Sequence, residues 1–150
     1  GAERTDPDRR RSQVSFVLDA TVALSWAFDG EGGGYVEDVL AELEDSEARV
    51  ASVWPIEVSN GLATAERLGR LEPADTSSFL SLLTALPIQV DPGESRRVFD
   101  AVHRLARNHE IPSSDASYLD LALRLGLPLA TLDARLRNAA GREGVRIFSP

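Results

Sequence analysis

The 150-residue chain has no cysteine, and all sixteen of its basic residues are Arg. Absent cysteine excludes disulfides, a thiolate nucleophile and thiolate metal sites. Absent lysine excludes Schiff-base chemistry, a Walker-type phosphate lysine and any mechanism resting on an ammonium group. Histidine is scarce: there are two, His103 and His109, and they lack the i, i+4 spacing of a helical metal pair. They read as ordinary surface or half-buried side chains. No run of about 18 apolar residues is long enough to span a bilayer. The Arg9-Arg10-Arg11 run has no apolar core behind it, so no signal-peptide pattern is present. No membrane association is expected, and the simplest location is cytoplasmic. The start on Gly1 rather than Met is expected of a processed or engineered N-terminus.

What is present suits one domain. The 43% hydrophobic content is globular, and a chain of this length buries about two thirds of its unfolded surface. Residues 1–13 read as a flexible polar tail and residues 14–150 as the folded unit. The net charge of −8 argues against a general polyanion binder. A nucleic-acid substrate stays compatible if arginines line one face and metal ions neutralise the site.

The chain is organised around Ser15-Phe16-Val17-Leu18-Asp19-Ala20-Thr21, a β-forming apolar run that ends in a carboxylate. Helices are expected over Thr21–Phe28, Tyr35–Glu44, Pro55–Leu68, Pro73–Ala85, Glu94–Arg107, Pro112–Leu125 and Ala134–Ala140. Further strands are expected over Arg49–Val53, Ile88–Val90, Pro128–Leu132 and Val145–Phe148. This alternation predicts an α/β fold with a parallel sheet covered on both faces. Ligands bind such sheets at the carboxyl ends of the strands, beside the point where strand order reverses.

Four acids can reach that edge. Asp19 and Asp133 end strands, Glu57 lies in the first turn of the helix opened by Pro55, and Asp115 opens another helix. Each also has a plainer role: an N-cap for Asp19, Asp115 and Asp133, or the helix dipole for Glu57. Asp120, five positions after Asp115, points about 140° away and cannot share its site. Clustered carboxylates repel unless a cation neutralises them. All-oxygen ligands select Mg²⁺ or Mn²⁺ over zinc, which suits metal-assisted phosphodiester hydrolysis.

These residues resemble the PIN domain. The resemblance rests on Val17-Leu18-Asp19-Ala20-Thr21, Glu57-Val58-Ser59-Asn60, Ser114-Asp115-Ala116-Ser117-Tyr118-Leu119-Asp120-Leu121-Ala122 and Leu129-Ala130-Thr131-Leu132-Asp133-Ala134-Arg135-Leu136. It runs from about Ser15 to Phe148 and is nearest to the VapC toxins of bacterial toxin–antitoxin pairs. It implies a three-layer α/β/α sandwich with a five-stranded parallel sheet. It also implies a Mg²⁺-dependent endoribonuclease (Mn²⁺ being the other candidate) that cuts RNA with metal-activated water. Asp19 and Asp115 would hold the metal, Glu57 and Asp133 would complete the acidic quartet, and Thr21 and Asn60 would support it. Arg135 stands where some relatives carry a further acid, so one ion at rest and a second arriving with RNA are expected. Arg67, Arg70, Arg135 and Arg137 are candidate phosphate contacts or simply solvated surface. A VapB-like antitoxin would hold the enzyme inactive, with Trp26, Phe28 and Trp54 either receiving its tail or packing the core. A homodimer is implied as well.

Two other classes compete. A PIN-like module that binds a partner without cutting would share the fold. An aspartyl-nucleophile phosphatase also places Asp after its first strand. The haloacid-dehalogenase type, however, wants a second Asp where Thr21 stands and a Lys that is absent, and response-regulator receivers need that Lys too.

Overall fold

A computed structural model describes residues 13–150. The expected tail lies outside the described residues except for Gln13, whose carbonyl accepts the Glu47 N–H at 2.9 Å. The central strand β1 (Val14–Leu18) is flanked by β2 (Glu47–Val50) and by β4 (Leu129–Ala130), and β3 (Ile88–Val90) lies outside β2. All pairings are parallel. Phe16, Val17 and Leu18 are wholly buried, as the middle strand of a doubly covered parallel sheet requires.

Between β1 and β2 lie α1 (Ala20–Ser25) and α2 (Gly33–Glu42), and between β2 and β3 lie α3 (Trp54–Arg67) and α4 (Pro73–Thr84). The long helix α5 starts as Ser95–Arg97, widens to a π-helical turn over Val98–Val102 and continues as His103–His109. Then come α6 (Ser113–Leu125), β4 and α7 (Ala134–Arg142). In the order β3-β2-β1-β4 the chain steps one way through β3, then crosses back over β1 to β4. Right-handed crossovers therefore put α1–α4 on one face and α5–α7 on the other. The reversal falls between β1 and β4, at whose ends Asp19 and Asp133 stand.

Among the described residues the sheet has four strands, not five. The expected strand Val145–Phe148 is reduced to a single parallel bridge, Leu129 with Ile147. Its neighbour β4 is two residues long, so only Leu129 exchanges bonds with it: Leu129 N–H to Arg146 O, and Phe148 N–H to Leu129 O. Ring packing holds the segment instead, with Phe148 stacked on Phe16 at 4.1 Å.

Other boundaries moved for local reasons. The strand expected over Arg49–Val53 runs over Glu47–Val50, because Ala51 O accepts the Trp54 N–H at 2.9 Å and turns the chain into α3. Pro128 has no N–H for a ladder, and β4 accordingly begins at Leu129. Among the described residues no helix is long and apolar enough to cross a membrane.

Candidate active site

Asp19 sits directly after β1 and is 2% exposed. It occupies the N-cap position of α1, but its side chain makes no capping bond. Its Oδ2 instead accepts two hydroxyls, Thr21 at 2.7 Å and Thr131 at 2.6 Å. Burial pushes its carboxyl upward, opposed by those hydroxyls and by the amides of Ala20 and Thr21. The two threonines also stitch the neighbouring loop. Thr21 Oγ1 accepts the Leu132 N–H and Thr131 Oγ1 accepts the Asp133 N–H, both at 3.0 Å.

Asp133 follows β4 and does act as a cap: its Oδ1 accepts the Leu136 N–H at 2.9 Å. Glu57 lies one turn into α3, beyond Pro55. The Tyr118 hydroxyl, on α6, donates to Glu57 Oε1 at 2.5 Å. Tyr118 is wholly buried. Burial raises the Glu57 carboxyl, the Tyr118 bond lowers it, and the charge on Asp19 raises it again. The Tyr118 phenol is raised in turn, by burial first and then by Glu57.

Asp115 lies in the first turn of α6 and makes no cap bond with its backbone. Its carboxyl is pushed from 3.8 to about 6, by burial first and then by the charges of Asp19, Asp133 and Glu57. Asp115 thus lies within electrostatic reach of Asp19, Asp133 and Glu57, and Glu57 within reach of Asp19. Asp120, as expected, does not join them. It is buried on the far side of α6 and takes a two-pronged bond from Arg97 at 2.9 and 2.6 Å, with Arg124 adding a weaker one.

Other expectations divide. Asn60 is exposed on α3, one turn beyond Glu57. Trp54 belongs to the core, whereas Trp26 and Phe28 line a cavity of about 650 Å³ together with Arg70, Leu71 and Phe79. Arg70 pairs with Glu31 at 2.6 Å and stacks over Phe28. Arg137 donates to Thr131 O at 2.8 Å and lies over Tyr35. Both guanidiniums are thus engaged within the protein. His103 is exposed and His109 half-buried, as read from the sequence.

Thr131 and Tyr118 are site residues whose roles were not assigned from the sequence. A signal for Thr131 existed: it precedes Asp133 by two positions, mirroring Thr21 after Asp19. For Tyr118 there was none, because its partner is 61 positions away.

The donor set is carboxylate and hydroxyl oxygen, which matches a hard divalent cation. Among the described residues no three of His, Cys, Asp or Glu stand as a ready-made metal group. A cation here would therefore rest on one or two carboxylates and complete its shell with water and substrate oxygens, the habit of Mg²⁺.

Comparison with known proteins agrees with this geometry. A family model described as PIN domain matches residues 16–142. The crystal structure of PAE2754 from Pyrobaculum aerophilum superposes with a TM-score of 0.65 at 25% identity, covering 84% of each chain. No curated protein matches.

Proposed function

The chain belongs to the PIN domain family, a nuclease fold, and we propose that it is a Mg²⁺- or Mn²⁺-dependent endoribonuclease of the VapC toxin type. The observation that carries the reading is the Asp115 carboxyl, raised to about 6 in part by the charges of Asp19, Asp133 and Glu57. The charge of neighbouring acids on Asp115 costs stability, and a cation held by carboxylates and substrate oxygens would offset that cost.

Asp19 and Asp115 would hold the cation. When bound, it supplies neutralisation of the acids, activation of water and stabilisation of the leaving oxygen at a phosphodiester. The chain's own groups do the rest. Thr21 and Thr131 lock the Asp19 carboxylate in one orientation, which limits reorganisation during reaction. Tyr118 holds Glu57 by Oε1, leaving Oε2 as the oxygen to take the proton of the attacking water. Asp133 is fixed by its cap to Leu136 and orients the substrate side of the acid cluster. Attack opposite the leaving oxygen breaks the phosphodiester P–O bond.

The same reading includes a VapB-like antitoxin, a homodimer and a cytoplasmic setting. Support for a protein partner comes from the cavity floored by Phe28 and Phe79 and from Ile56, Leu68 and Phe99, exposed at 71%, 71% and 82%. A second reading, a PIN-like module that binds without cutting, draws on the lack of a ready-made three-ligand metal group among the described residues.

The deciding experiment incubates pooled total RNA with the protein in Mg²⁺, Mn²⁺ or EDTA, alongside Asp19→Ala. Discrete metal-dependent cuts that vanish in the variant are expected. Identical patterns for wild type and variant would overturn the nuclease reading and leave the binding module.

A further inference from the structure

Helix α7 is unusual in this chain. Its nine residues, Ala134–Arg142, carry three arginines and no acid, in a protein whose net charge is −8. It begins immediately after Asp133. Arg137 is turned inward onto Thr131 O and Tyr35. Arg135, Asn138 and Arg142 follow one another at helical spacing and line a separate cavity of about 370 Å³ with His109 and Glu110. Neither Arg135 nor Arg142 has an acidic partner among the described residues.

The opposite wall is the α5–α6 turn. His109 Nε2 lies 2.7 Å from Glu143 Oε1. Glu110 adopts the left-handed conformation at φ 52°, a strained choice for a residue with a Cβ. The turn thereby leads directly into Pro112 and the start of α6. The cavity is thus walled by the segments that carry Asp115 and Asp133, Glu110 lying five positions before the one and Arg135 two after the other.

We infer that this cavity binds one backbone phosphate of an RNA strand, held by the Arg135 and Arg142 guanidiniums and the Asn138 amide. Guanidinium forks match phosphate oxygens in pairs, and a planar amide adds a third donor. The inference rests on the nuclease reading for its substrate, but not for its test. The site would give an acidic chain a local attraction for a polyanion along α7. Glu110, the unpaired carboxylate of the lining, opposes a phosphate and keeps the strand against α7.

The test measures binding of a labelled single-stranded RNA 12-mer to Asp19→Asn protein at several salt concentrations, in EDTA, so that no cleavage is involved. Adding Arg135→Ala and Arg142→Ala together is expected to weaken binding at least tenfold. It also lowers the slope of log affinity against log salt by roughly 0.7, one phosphate's worth on a single strand. Adding Glu110→Gln tightens binding, and Arg96→Ala, outside the cavity, leaves it unchanged. Unaltered affinity and slope in the double arginine variant, or no binding by the parent protein, would overturn the inference. So would a poly-glutamate peptide that binds through the same two arginines as tightly as RNA, which makes the cavity an acidic-peptide site. Cleavage by the wild-type protein is scored separately. Arginine-dependent binding without cleavage upholds the cavity and refutes the nuclease. Cleavage with arginine-independent binding does the reverse.

Discussion

Thr131 donates its hydroxyl to Asp19 across 112 positions of chain, at 2.6 Å, with both side chains buried. The bond ties the end of β4 to the end of β1 at the point where strand order reverses. It holds the same Asp19 oxygen that Thr21 holds, the two hydroxyls lying 3.4 Å apart.

Thr131→Val keeps the shape but removes that donor and the acceptor of the Asp133 N–H. Leaving buried polar groups unpaired costs about 1–3 kcal/mol, read as a lower urea midpoint. RNA cleavage is expected to fall as well, and Thr131→Ser is expected to restore most of both. Equal loss in the Val and Ser variants would show that the methyl group, not the hydroxyl, matters.

Asp115 gives the pH signature. Its carboxyl lies at about 6 in the fold against 3.8 in its absence, so the folded state holds the proton more tightly. Stability contributed at low pH is then lost as pH rises from about 4 through 6. In EDTA at pH 8, Asp115→Asn is expected to be more stable than wild type by on the order of 1 kcal/mol, after discounting for screening at a half-buried site. At pH 4 the difference disappears. A variant less stable than wild type at pH 8 would show that the four acids do not strain one another.

Tyr118→Phe removes the hydroxyl that donates to Glu57 Oε1. The Glu57 carboxyl, already raised by burial, is expected to rise further, moving the acid limb of the cleavage profile to higher pH. Because a raised carboxyl favours the fold at low pH, the stability deficit of the variant shrinks as pH falls. A cleavage profile that keeps its acid limb would separate Glu57 from proton transfer.

Asp120→Asn tests the other face of α6. The change weakens the bonds from Arg97 and Arg124, and because both guanidiniums are partly exposed the cost in urea unfolding is expected to be about 1 kcal/mol. Cleavage per folded molecule is expected to stay at the wild-type level. A loss of cleavage comparable to that of Asp19→Ala would place Asp120 in the site after all.

Much of this was legible in the residues themselves. The apolar run before Asp19, the Pro at the start of α3 and the Gly126 that ends α6 each act within a turn or two of chain, so local pattern located the helices and the end of β1. The 100° step of a helix likewise separated Asp115 from Asp120 before any coordinates. Strand lengths were less legible: β4 and the segment after it looked like full strands, and only their mutual register showed that Leu129 alone had a partner beyond.

The sequence by itself determined the alternating α/β order, the absence of thiol and ammonium chemistry, and the four acids available to one edge. It did not determine which acid does what. Asp19, Asp115 and Asp133 all stand at helix starts, yet only Asp133 caps its helix through its side chain. A cap is satisfied by an amide three residues away, so it is written into local sequence. Burial and charge coupling depend on what packs alongside, and Thr131 and Tyr118 reach Asp19 and Glu57 only through the folded core. Tertiary structure therefore decided the electrostatics of the site, and with it the cavity beside α7.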